Sequence, residues 1–89
     1  MSSNGNWELK VDPRVYKELA KFPQKDVARI AFVLDDKNFD PYAGDIQKIK
    51  AEENVWRRRI GAYRIFYEVN QNTRLANVFW VERRTSSTY

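Results

Sequence analysis

The chain has 89 residues, 43% of them hydrophobic and 15% aromatic, and a formal net charge of +4. That length suits one core and is too short for two, so residues 1–89 are expected to form a single domain. With no cysteine and no histidine, disulfide frameworks, Cys/His metal sites and histidine acid–base chemistry are excluded.

Met1-Ser-Ser-Asn-Gly-Asn6 has no apolar stretch of the secretory kind. No run in the chain approaches the roughly 20 apolar residues that span a bilayer. A cytoplasmic protein with no membrane partner is the expectation. Trp7-Glu-Leu-Lys-Val11 alternates apolar and polar residues, the period of a half-buried strand. Asp12 suits a helix N-cap and Pro13 the first helical position. Val15, Leu19 and Phe22 then follow at helical spacing. Phe22-Pro23 ends this helix, because the residue before proline avoids helical geometry. Val27, Ile30, Ala31 and Leu34 mark one face of a second helix. Asp35 to Asp45, containing Asp40-Pro41 and Gly44, is loop.

The remainder is strand-like. Ile46-Gln-Lys-Ile49 is a short candidate, and Val55 to Ile60 is a firmer one. Gly61-Ala62 is a two-residue turn, Tyr63 to Val69 is the strongest strand, and Ala76 to Glu82 is the last. Close sequential strands favour antiparallel pairing. The expected fold class is α+β: an N-terminal strand, then a helical hairpin packed on a twisted antiparallel sheet, β-α-α-β-β-β.

Charge is unevenly placed. Residues 1–45 carry seven Lys/Arg against eight Asp/Glu, and residues 46–89 carry nine against four. A basic half of this kind suits a polyanionic partner bound on one face. A two-residue Gly61-Ala62 loop places Ile60 opposite Tyr63, Arg59 opposite Arg64, Arg57 opposite Phe66 and Trp56 opposite Tyr67. One face then carries Trp56, Ile60, Tyr63, Ile65, Tyr67 and Val69, with Arg58 a misfit expected near an edge. The other carries Arg57, Arg59, Arg64 and Phe66. Opposed like charges destabilise a strand pair, so an arginine cluster that breaks this rule is a candidate site. Guanidinium groups bind phosphate bidentately, and Phe66 offers a base a stacking surface. The ending Val81-Glu-Arg-Arg-Thr-Ser-Ser-Thr-Tyr89 adds Arg83, Arg84 and Tyr89.

Trp56-Arg-Arg-Arg-Ile-Gly-Ala-Tyr-Arg-Ile-Phe-Tyr67 resembles the W-R-x-R-x-G-x-Y-R-x-x-Y stretch of the RelE/ParE superfamily of toxin–antitoxin toxins. Asp40-Pro41, Gly44, Ile46-Gln-Lys-Ile-Lys50 and the Arg83…Tyr89 ending extend the resemblance from Trp7 to Tyr89. It implies two helices on a twisted antiparallel sheet. It further implies a RelE-like mRNA interferase, an endoribonuclease that cuts messenger RNA in the ribosomal A site. There a 2′-hydroxyl attacks the adjacent phosphate without metal or other cofactor.

On the same resemblance, Arg64 meets the scissile phosphate. Arg83 is a second clamp or donates a proton to the leaving oxygen. Arg57 and Arg59 hold the substrate backbone. Lys48, Lys50, Phe66 and Arg84 complete the substrate-binding set. Arginine does not deprotonate in proteins, so the general base falls to Tyr89 ahead of Lys48 or Lys50. The implied partners are an acidic, RelB-like antitoxin and the ribosome with its message. A ParE-like gyrase-inhibiting toxin, or an inactive relative that only binds RNA or antitoxin, is the alternative.

Overall fold

The structure, a computed structural model, describes residues 7–34 and 39–83. Its elements are β1 (Glu8–Val11), α1 (Pro13–Leu19), α2 (Gln24–Val33), β2 (Ile46–Lys48), β3 (Val55–Ile60), β4 (Tyr63–Asn70) and β5 (Leu75–Arg83). They form one five-stranded sheet in the order β1-β5-β4-β3-β2. The architecture is α+β, with both helices on one sheet face.

Two details differ from expectation. The short segment at 46–48 is a full sheet member, so four strands follow the helices where β-α-α-β-β-β has three. The N-terminal strand pairs parallel to β5, while all other pairings are antiparallel. The two helices between β1 and the meander carry the chain across, as a parallel pairing requires.

Asp12 caps α1, its carboxylate accepting the Arg14 amide at 3.0 Å, with Pro13 at the first helical position. The α-helix stops at Leu19, short of the expected Phe22, because the chain tightens: Lys21 donates to Glu18 and Phe22 to Leu19. Phe22 then packs on Tyr63, ring centroids 4.6 Å apart. From the helices, Val15, Leu19 and Ile30 are buried. From the sheet, Ile60, Tyr63, Ile65, Tyr67, Val69, Ala76, Val78 and Val81 meet them.

The hairpin between β3 and β4 has the expected register, Ile60 opposite Tyr63 and Arg59 opposite Arg64. Gly61 has φ +61° and sits first of the two loop residues, which suits a II′-type turn matched to strand twist. Arg58 does not lie on an edge strand, since β3 is flanked by β2 and β4. It is half-buried on the helix-covered side, where its guanidinium runs under Gly44. Gly44 has φ +86°, a conformation that favours glycine, and a Cβ there would lie 2.6 Å from Arg58 Nε, so a larger residue would strain the backbone and displace the guanidinium.

β5 carries a bulge. Phe66 pairs with Trp80 but Tyr67 pairs with Val78, leaving Phe79 as the extra residue. Such an insertion reverses the alternation of every later side chain. Val81 is therefore buried with Val78 and Ala76, while Phe79, Trp80 and Glu82 belong to the face without helices.

Candidate functional site

The helix-free sheet face holds the candidate site. Rows of partners cross it: Gln47, Arg57, Phe66 and Trp80 in one, Arg59, Arg64 and Glu82 in the next. Asp45, Gln47, Arg57, Arg59 and Arg64 line a cleft of about 250 Å³. Three of the expected catalytic arginines thus converge.

Their partners are local. The loop before β2 is fixed by buried Phe39 and Pro41. Phe39 lies edge-on to Tyr67, and Tyr67 Oη donates to the Pro41 carbonyl at 2.6 Å. Past Gly44, the Asp45 carbonyl accepts the Arg59 amide and Asp45 Oδ2 accepts Arg59 Nε, both at 2.9 Å. Gln47 Oε1 accepts from Arg57 Nη2, and Glu82 Oε2 accepts from Arg64 Nη1 at 3.4 Å. The row Asp45, Arg59, Arg64, Glu82 therefore places a carboxylate at each end, which offsets the like-charge pair at its centre. Both ion pairs stand partly in solvent, with side-chain exposures of 50% and 61% for Arg59 and Asp45, and 30% and 40% for Arg64 and Glu82. Exposed pairs of this kind are weak, about 0–1 kcal/mol, so an incoming phosphate can replace the carboxylates.

A larger cleft of about 440 Å³ lies at the far end of β4, lined by Asn54, Glu68, Asn70 and neighbouring residues, with no cationic side chain among the described residues. Those lining residues lack the positive charge that holds a phosphate.

No protein-family profile and no curated protein sequence matches the chain. Solved structures do. The archaeal RelE–RelB complex of Pyrococcus horikoshii OT3 aligns with TM-score 0.76 at 22% identity, over 92% of this chain and 99% of that one. Isolated Escherichia coli RelE aligns with TM-score 0.72 at 19% identity, over 91% and 87%. The RelB–RelE antitoxin–toxin complex of Methanococcus jannaschii aligns with TM-score 0.69 at 29% identity, over 84% and 89%.

This is the RelE toxin fold.

The Methanococcus jannaschii likeness extends over most of both chains. Not every site residue expected from the RelE resemblance reaches the cleft. Arg83 pairs with Tyr63, and its guanidinium lies over the Tyr63 ring at 5.9 Å on the helix-covered side. The β5 bulge is the reason, since unbroken alternation from Val78 would have turned Arg83 the other way. Lys48 pairs with Trp56, also on the helix-covered side. Lys50 lies beyond β2 in an exposed turn. Arg84 and Tyr89 lie outside the described residues. Phe66 is half-buried beside the cleft.

Asp45, Gln47, Glu82, Phe79 and Trp80 were not anticipated. Asp45 and Gln47 sit on the strand entry that the arginine pattern alone does not address. Phe79 and Trp80 share a face only because of the bulge.

Two tyrosines on the helix-covered side titrate high. Tyr63 is raised above its ordinary value, chiefly because it donates to Asp26 Oδ2 at 2.6 Å and also by burial. Tyr67 is pushed up to about 12, chiefly by burial, with nearby Arg58 opposing. Both remain protonated donors at neutral pH.

Proposed function

We propose that this chain is the toxin of a type II toxin–antitoxin pair and a ribosome-dependent mRNA endonuclease. The observation that carries the reading is the meeting of Arg57, Arg59 and Arg64 in one open cleft. Three fixed guanidinium groups match a phosphodiester in a strand that runs along the sheet. In the reaction, the 2′-oxygen forms a bond to phosphorus and the bond to the 5′-oxygen breaks. The products are a 2′,3′-cyclic phosphate and a 5′-hydroxyl, the leaving 5′-oxygen taking its proton from solvent. Negative charge grows on the phosphoryl oxygens in the transition state, and donors already aimed there act without rearrangement. Arg64, the least exposed of the ion-paired arginines, faces the scissile phosphate, while Arg57 and Arg59 hold the backbone.

The 2′-hydroxyl proton needs an acceptor other than arginine. Among the described residues Asp45 is the one carboxylate lining the cleft, and Tyr89 is the residue the RelE resemblance points to. Cutting retained by Asp45→Asn but lost in Tyr89→Phe assigns the base to the tyrosine; the reverse assigns it to the aspartate.

Solved RelE toxins crystallised with RelB motivate an acidic antitoxin as partner, since basic surface and acidic partner attract. The test is a translation reaction read by primer extension. Cuts within the A-site codon are expected, and intact message on stalled ribosomes would contradict the reading. A gyrase supercoiling assay in the same preparation, expected to show no inhibition, separates it from a ParE-like toxin.

A further inference from the structure

The aromatic side of the open face suggests a second site. Arg14, Phe66, Phe79 and Trp80 line a slot of about 210 Å³. At ~30 Å³ per water, that is on the order of seven water volumes, room for one flat ring system. The slot exists because of the β5 bulge. Regular pairing would put one β5 side chain opposite Phe66 on this face, whereas the bulge puts Phe79 there as well as Trp80. The Phe66 and Phe79 rings stand 6.4 Å apart and 41° from parallel, a splayed pair and not a closed stack. Arg14 Nε donates to the Phe79 carbonyl at 3.0 Å, which holds the bulge and sets a guanidinium at the slot's edge.

The slot neighbours the arginine cleft, because Arg57 of the cleft and Phe66 of the slot are strand partners. Arg57 faces Phe66, and Phe66 faces Trp80, across successive strand spacings of about 4.8 Å. A phosphate held by Arg57 therefore lies one sugar's reach from these rings. Resting on the RNA-cleaving reading above, we propose that Phe66, Phe79, Trp80 and Arg14 form a nucleobase slot that stacks one base of the strand held in the arginine cleft. Ring stacking accepts any base, because each presents a π-face. The slot thus sets the strand's position and leaves the choice of bases to other contacts.

The experiment is equilibrium binding of short single-stranded oligoribonucleotides to the full chain, alongside a matched oligomer with one abasic position scanned along it. Trp80→Ala is expected to weaken the intact oligomer by about tenfold or more and to leave the best-placed abasic oligomer unchanged. Arg64→Ala weakens both alike. Where Trp80→Ala does not fold, Trp80→Leu keeps an apolar side chain without the ring and reads the same difference. Equal binding of intact and abasic oligomers by wild type and a folded Trp80 variant overturns the slot. So does unchanged oligomer binding with weakened antitoxin binding, which makes the rings a protein-docking surface. Cutting is scored separately. A chain that shows the Trp80 pattern but never cuts message keeps the slot and loses the nuclease. A chain that cuts but ignores Trp80 loses the slot alone.

Discussion

The two faces of one sheet carry opposite chemistry, and neighbouring residues divide between them. Along β4, Tyr63, Ile65, Tyr67 and Val69 are buried under the helices, while Arg64, Phe66 and Glu68 face away. On the covered face, apolar area and two tyrosine hydrogen bonds hold the fold. On the open face, arginines oppose arginines and rely on weak, solvated carboxylates. The lesson is that stability and charge recognition are separable here, because a period of two assigns them to alternate residues. Mutations should therefore split cleanly between melting and binding.

The largest contrast is between adjacent positions. Ile65→Ala removes a fully buried side chain and is expected to cost about 2–5 kcal/mol. Thermal melts should show it, at roughly 4–8 °C per kcal/mol for a domain of this size. Arg64→Ala should leave the melt within about 0.5 kcal/mol of wild type. Comparable losses for both would break the division of faces.

Tyr67 sharpens it next. Tyr67→Phe leaves the buried Pro41 carbonyl without its donor, a loss of about 1–3 kcal/mol. Alkaline titration gives a second reading. Folding raises this phenol from 10.0 to about 12, so the unfolded chain loses its proton first. The contribution is fully present below pH 10 and is lost as pH rises through about 12, amounting to about 2–3 kcal/mol. Urea melts of wild type should weaken across that window. Tyr67→Phe should weaken less, the remaining slope coming from Tyr63, which is raised in the same direction.

Much of this division was legible beforehand. Gly61-Ala62 allowed a two-residue loop, and that loop set every pairing from Val55–Glu68 to Ile60–Tyr63. The arginine face followed directly. The β5 bulge was not legible: Val78-Phe-Trp-Val81 reads as an apolar run with no turn residue to mark an insertion. Its effect reached both ends of the expected site, removing Arg83 from the cleft and adding Trp80 and Glu82 to the open face. The parallel pairing of β1 with β5 was also hidden, because four residues at the chain's start carry no signal of their partner strand. Asp45 was readable only as a loop residue, since its role depends on Gly44 letting the chain pass over Arg58.

Smaller effects test the open face itself. Single-strand binding should lose about 0.7 in the slope of log affinity against log salt for each phosphate contact removed. Arg57→Ala, Arg59→Ala and Arg64→Ala should each show that change. An unchanged slope would mean that the arginine meets no phosphate. Asp45→Asn should be the mildest. Its ion pair with Arg59 is exposed, so stability should change by less than about 1 kcal/mol. With the competing carboxylate gone, oligomer affinity should rise a few-fold in a filter-binding titration.

The central claim is that the arginine cleft performs phosphoryl chemistry on message held in the ribosome. Single-turnover cleavage on ribosomes stalled at a defined codon, comparing wild type with Arg64→Ala, tests it most directly. The account predicts a single cut leaving a 2′,3′-cyclic phosphate for wild type, and a rate lower by about 10²–10³ for the variant, whose melt stays unchanged. Equal rates for the two proteins, or no cut by either, would contradict it.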